Sequence, residues 1–290
     1  MHSNSIPKTI KYKVFIICKI AYYSFCKIRY IIFIFIFKLK DFNEINENNW
    51  RDTVGKTVLE AYSVERKIEN ITYKNLFVMI AMIIGISLLG GLFLGLAFGI
   101  YGEEALSTKL EGYYLLLFDA SVVAIVLLAY KPVFHFIKSI WDISVLKSGK
   151  TYLYLFIGFI FIALSQYLML HVFSFESAAE QKEQLGGLGL QNSIQSIIYV
   201  LSIAIITPVK EEILFRGILY RFLEKKYNFL VSIIISSFIF GILHGGLLIT
   251  ATIMGMVFAM LYKKTQSIIP SIILHIVWNL LVSLSMIVSL

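Results

Sequence analysis

The stretch Thr207-Pro-Val-Lys-Glu-Glu-Ile-Leu-Phe-Arg216 puts two adjacent carboxylates and an arginine at the end of an apolar run that starts near Ser193. An ionised carboxylate inside a membrane helix costs at least ~2.5 kcal/mol on insertion scales, so Glu211, Glu212 and Arg216 must be paired, reach water or serve a function. On a helix Glu212 and Arg216 are i,i+4 and can pair. Glu211 projects about 100° away and lacks that partner, which makes it the carboxylate free for chemistry. A plainer reading stands beside this one. Thr207 and Pro208 have the form of an N-cap and a first helical residue, with carboxylates in the first turn complementing the helix dipole, so the stretch could begin a surface helix.

Composition frames the choice. Hydrophobic residues make up 58% of the 290 and charged residues 15%, with a mean hydropathy of +0.80. Soluble domains carry about 25% charged residues, so the chain is a polytopic membrane protein. The net charge of +8 does not point to nucleic acid, because residues 1–40 hold eight Lys/Arg and no acid while the rest balances. That placement is a basic, membrane-proximal tail with affinity for the lipid surface. Cys18 and Cys26 lie within it and have no zinc-type spacing.

Outward from the Glu-Glu stretch the chain divides into an interfacial segment, 1–75, and a membrane domain, 76–290. Lys19, Lys27 and Arg29 interrupt Val14 to Phe37, which reads as an interfacial basic segment or a span with snorkelling cations. Val54, Val58, Leu59, Tyr62 and Ile68 recur at helical spacing and suggest a surface amphipathic helix. Spans follow at Leu76 to Tyr101, with a Gly91, Gly95, Gly99 packing stripe, at Tyr113 to Tyr130, and at Thr151 to Phe175. Asp119 lies inside the second span and is a functional candidate. Gln166 and His171 in the third read as a hydrogen-bonding and an interfacial residue.

The fourth span starts at Ser193. Helical to Leu223 it would be about 46 Å long, so it must tilt, break at Pro208 or protrude. Phe229 to Leu243, Leu247 to Tyr262 and Ile268 to Leu290 complete an all-α bundle of about seven transmembrane helices. Lys/Arg concentrate in 41–75, 131–150, 221–226 and 263–264. This alternation predicts a cytoplasmic N-terminus, an external C-terminus and a Glu-Glu stretch toward the cytoplasmic half.

Two histidines complete a constellation. His244 ends Phe240-Gly-Ile-Leu-His, and His275 opens His275-Ile-Val-Trp-Asn279. Each alone is an ordinary hydrogen-bonded core histidine. Together with the acids they form a hydrolytic set. Glu211 beside His244 would be a water-activating pair, and His275 with Asn279, i,i+4 on one face, could donate to a developing oxyanion. If a metal is present, His244, His275 and Glu211 or Glu212 would hold it, zinc being the metal such donors suit. The four catalytic candidates also suffice without one, and that scheme is preferred because it gives Asn279 a role.

Glu211-Glu212-xxx-Arg216, Phe240-xxx-His244 and His275-xxx-Asn279, in this order over 193–290, resemble the three motifs of the CAAX-protease and bacteriocin-processing family, the type II CAAX prenyl endopeptidase or Abi family. The resemblance implies intramembrane endopeptidase activity, with Glu211 and His244 at the water-activating positions and His275 and Asn279 at the oxyanion positions. Glu212 and Arg216 take the second-acid and arginine positions, holding the helix end or contacting substrate.

Frequent Ile, Lys and Asn suggest an AT-rich bacterium, where the family is linked to peptide maturation, bacteriocin self-immunity and signalling. The expected partners are a peptide or membrane-protein substrate and the bilayer of the cell membrane, with no nucleic acid. A non-catalytic immunity or scaffold protein of the same fold is the alternative; a transporter fits less well, because internal repeats are weak.

Overall fold

The structure is a computed structural model that describes residues 71–99, 113–177 and 193–288. The basic tail with Cys18 and Cys26, the amphipathic segment ending at Ile68 and the loop at 102–112 lie outside the described residues. Every element among the described residues is helical, and the helices gather around one buried apolar core.

Helix α1 spans Tyr73–Gly99. It starts where Thr72 and Asn75 cap each other: the Asn75 N–H donates to Thr72 Oγ1 at 3.2 Å and the Thr72 N–H donates to Asn75 Oδ1 at 2.9 Å. Gly91 and Gly95 of the packing stripe are buried. The closest approach uses neighbouring Gly90, where a Cβ would lie 2.7 Å from the Phe118 ring of α2, Tyr113–Ala129. Behind α2 the chain turns by 96°. Residues 131–150, expected as a loop, are instead helix α3, Lys131–Ile137, followed by two 3-10 turns. Pro132 fits the first turn of α3, where no N–H is missed. Asp142 caps the second 3-10 turn by accepting from the Ser144 N–H at 2.8 Å.

Helix α4 is Gly149–Tyr167, prolonged by a π turn at Leu168–Val172. Helices α5 (Ser193–Leu201), α6 (Thr207–Glu212) and α7 (Arg221–Lys226) form one rod, joined by π turns at Ser202–Ile206 and Ile213–Tyr220. Asn228 caps α8, Phe229–Leu243, by accepting from the Val231 N–H at 3.0 Å. A tight turn leads to α9, Leu248–Thr265, and α10 is Ile269–Val288. Helices α8 and α9 form a close hairpin: a Cβ on Gly255 would sit 2.9 Å from the Ser237 Cα, and one on Gly241 would sit 2.6 Å from the Leu248 carbonyl oxygen. Only glycine permits those approaches.

By length and composition three helices can cross a bilayer alone, at Tyr73–Leu96, Gly149–Val172 and Gly245–Thr265, and the bent pair at Tyr114–Ala129 and Lys131–Lys147 makes a fourth candidate. Their outer faces carry apolar side chains such as Leu89, Phe93, Leu128, Phe156 and Phe161, all more than half exposed, as a lipid-facing surface demands.

The chain connections collect at two ends of the bundle. At one end Asn75 donates to Tyr130 Oη at 2.9 Å, and Arg221 reaches the Phe136 carbonyl and Ser139 Oγ. There too Lys263 pairs with Glu224 at 2.6 Å and the Ile268 N–H donates to the Ile140 carbonyl at 2.9 Å. At the other end Glu176 accepts from the Ile249 and Thr250 N–H groups, at 2.7 and 2.9 Å, and from the Thr250 hydroxyl, capping α9.

Candidate active site

The two costliest residues of the quoted stretch are buried completely. Glu212 and Arg216 have side chains 0% and 1% exposed, and Arg216 Nη1 donates to Glu212 Oε1 at 2.8 Å. Burial leaves Glu212 Oε2 and Arg216 Nε without a hydrogen-bond partner, so the pair depends on the contacts its other atoms make. Arg216 Nη2 accordingly donates to the Gly255 carbonyl at 3.1 Å, and its guanidinium lies over the Phe240 and Phe258 rings, 4.5 and 5.0 Å from their centroids. Glu212 Oε1 is also 3.0 Å from His275 Nδ1. The second acid therefore holds both the arginine and a histidine.

The plainer reading of Thr207 as an N-cap is overturned. Thr207 has helical dihedrals, φ −61° and ψ −50°, and the rod runs through Pro208 without a break. The π turn makes this feasible: the Thr207 N–H bonds the Ser202 carbonyl, five residues back. The Ile203 carbonyl then loses both ordinary helix donors, because Thr207 is committed and Pro208 has no N–H. Asn279 Nδ2 donates to that carbonyl from α10 at 3.1 Å.

Glu211 takes the position its 100° offset from Glu212 requires. Its Oε2 is buried and accepts no hydrogen bond. His244 Nε2 and His275 Nε2 each lie 3.8 Å from that oxygen. His244 ends α8, and its Nδ1 is 2.7 Å from the Phe240 carbonyl one turn back. A carbonyl only accepts, so Nδ1 carries the proton and Nε2 turns its lone pair to Glu211. His275 is 1% exposed and stacks on Phe258, with centroids 4.7 Å apart. The same logic gives His275 a proton on Nδ1, facing Glu212. It donates through Nε2 only when it carries a second proton, a condition that spacing alone did not reveal.

The structure thus brings together Glu211, Glu212, Arg216, His244 and His275. Asn279 is on the same face of α10 as His275, one turn further along, with one of its two amide hydrogens on Ile203. Among the described residues no group of three or more His, Cys, Asp or Glu side chains is arranged to hold a metal ion. Glu211, His244 and His275 are donor types that suit zinc, and each histidine Nε2 lies 3.8 Å from Glu211 Oε2, somewhat wider than the roughly 3.4 Å between two ligands of a tetrahedral zinc.

The surroundings of two neighbours escaped the sequence reading. Thr207 Oγ1, one turn before Glu211, is buried without a partner. Asp119 of α2 accepts from Lys210 Nζ at 2.6 Å, an ion pair 23% and 13% exposed that adjoins the site. The signal for it was present, an acid within a span and a lysine beside the two glutamates, but they lie 91 residues apart.

Fold and site together define a class: an all-helical membrane protein whose bundle encloses an uncommitted glutamate opposite two histidines. Residues 193–281 match the family described as Type II CAAX prenyl endopeptidase Rce1-like. The chain is also 34% identical over 135 residues, 45% of its own length and 54% of the other, to the Bacillus subtilis (strain 168) protein named "Putative membrane peptidase YdiL". It spans about half the length of that relative. Both matches support the resemblance read from the motifs, and both are likenesses of part of the chain. No solved structure matches the chain.

Proposed function

We propose that the chain is an intramembrane endopeptidase that hydrolyses a peptide bond with water held by Glu211 and His244. The observation that carries this is the Glu211 carboxylate oxygen, buried, without a hydrogen bond, and 3.8 Å from the Nε2 atoms of His244 and His275. A water at about 2.8 Å from Glu211 Oε2 and from His244 Nε2 fits a gap of that width. Glu211 takes a proton as the water attacks the scissile carbonyl, and the proton then passes to the leaving amine. The free amide hydrogen of Asn279 and a doubly protonated His275 donate to the oxyanion. Thr207 Oγ1 adds a further partner for water.

Seven spans, with the Lys/Arg-rich end in the cytoplasm, best accommodate the gathering of 131–147, 221–227 and 263–268 at one end of the bundle. The proposed protein is bacterial and resides in the cell membrane. Its substrate is a peptide or membrane protein, and peptide maturation or bacteriocin self-immunity is the role such a substrate implies. A non-catalytic immunity protein would not need an uncommitted carboxylate between two imidazoles.

The test reconstitutes the full chain in liposomes with a proteome-derived peptide library in H₂¹⁸O. New peptide C-termini should carry ¹⁸O, and Glu211→Gln should lower their formation by a factor of at least ~100 with unchanged yield. Undiminished cleavage by the variant would defeat the assignment.

A further inference from the structure

The ion pair between Asp119 and Lys210 is a costly feature that the proposed hydrolysis leaves unused. Lys210, Glu211 and Glu212 are consecutive on α6, so their side chains leave the axis at steps of about 100°. The three take partners in three directions. Lys210 reaches Asp119 on α2 at 2.6 Å. Glu212 is fixed by Arg216 at 2.8 Å and by His275 at 3.0 Å. Glu211, between them, faces His244 and His275.

Helix α6 is six residues long with a π turn on each side. π turns depart from the regular i→i−4 ladder, so the backbone alone holds the rotation of so short a piece weakly. The side chain of Glu211 extends to about 5–6 Å from the helix axis, and a rotation of 20° would move its carboxylate by about 2 Å. A displacement of 1 Å can cost about 100-fold in rate. Two anchors on opposite flanks remove that freedom. Packing of Leu116 and Leu117 of α2 against Tyr199 and Ile203 supports the Asp119 side of the rod.

We propose that Asp119 is a positioning residue for Glu211, acting through Lys210 to fix the rotation of α6. The proposal rests on the reading of Glu211 as the base. It brings α2, which carries none of the three motifs, into the working site.

The experiment uses the full chain in lipid nanodiscs, with Cys18 and Cys26 replaced by serine. In that background Glu211→Cys and His244→Cys are combined, and crosslinking by a methane-bridged bis-methanethiosulfonate is quantified by mass spectrometry. Adding Asp119→Asn should cut the crosslinked fraction at least fivefold, and Asp119→Lys with Lys210→Glu should restore it. If Asp119→Asn does not accumulate, Lys210→Met removes the same anchor and should give the same loss. In the native site, Asp119→Asn should lower kcat on the peptide library at least tenfold with KM within twofold, and the charge swap should recover it. Wild-type crosslinking in folded Asp119→Asn, or a folded charge swap that recovers neither readout, overturns the proposal. Crosslinking needs no cleavage, so it decides the geometry even if Glu211→Gln shows that another group is the base.

Discussion

Glu212→Gln should damage the protein before it damages the chemistry. The substitution keeps the shape but removes the charge against which Arg216 is buried at 1% exposure. Breaking a buried pair on one side costs about 3–5 kcal/mol, because the surviving charge remains in the interior. The Gly255 carbonyl and the two rings over which the guanidinium lies remain. A desolvated cation–π contact is worth about 2 kcal/mol, so the lower end, about 3 kcal/mol, is expected. At about 2–4 °C per kcal/mol for a chain of this size class, that is a fall of about 6–12 °C in Tm. Thermal unfolding in a fixed detergent measures it. Pairing Glu212→Gln with Arg216→Met replaces the ion pair by packed, largely uncharged groups and should recover most of the stability. It should not recover peptide cleavage, since His275 Nδ1 still lacks its carboxylate. A single variant within about 1 kcal/mol of wild type, or a double variant no more stable than the single, would refute this account of Glu212.

Asn279→Ala should lower kcat by about 10²–10³ and also destabilise by about 1–3 kcal/mol, because the Ile203 carbonyl loses its donor. Adding Pro208→Ala, which returns a backbone N–H to the rod, should regain stability without regaining kcat. Single cysteines at Lys147 and Lys225, in a background lacking Cys18 and Cys26, should react with an impermeant maleimide from the cytoplasmic side alone; labelling from outside would reverse the orientation. Metal analysis of the purified, active chain should find less than about 0.1 zinc per chain and no loss of activity in chelator. About one zinc per chain, lost with activity and restored by zinc, would show instead that His244, His275 and a glutamate are ligands.

What was legible in the sequence was whatever depends on local spacing. The Glu212 and Arg216 pair, the freedom of Glu211, and the shared face of His275 and Asn279 all follow from 3.6 residues per turn. The helices were legible from their apolar length, except where the chain bends: the apolar residues of Lys131–Ile137 make too short a run to announce a helix turned by 96° from its predecessor. Contacts set by tertiary packing were not legible. That Glu212 would serve His275 as well as Arg216, and that Asp119 would find Lys210, depends on which helices become neighbours. Thr207 and Pro208 misled for a physical reason. They satisfy the rules for a helix start, but a π turn supplies another way to pass a proline, and the partner that makes it tolerable is Asn279, 76 residues from the Ile203 carbonyl it serves.

The π turns also make this rod unusual in its response to length. Each holds one residue more than regular winding would use over the same rise, so it works like a vernier between stretches of helix. Removing one residue from Ser202–Ile206 would return the rod to regular winding, where the Pro208 ring meets the carbonyl four residues back at a cost of about 3 kcal/mol. Everything upstream, including Tyr199, would keep roughly its direction relative to the glutamates, because the turn had absorbed the extra residue. Such a deletion should harm the protein more than any single replacement within the turn, although no side chain of the site is touched. When related chains are aligned through this segment, a one-residue gap near Ser202 or Ile213 is where a change of winding would be recorded.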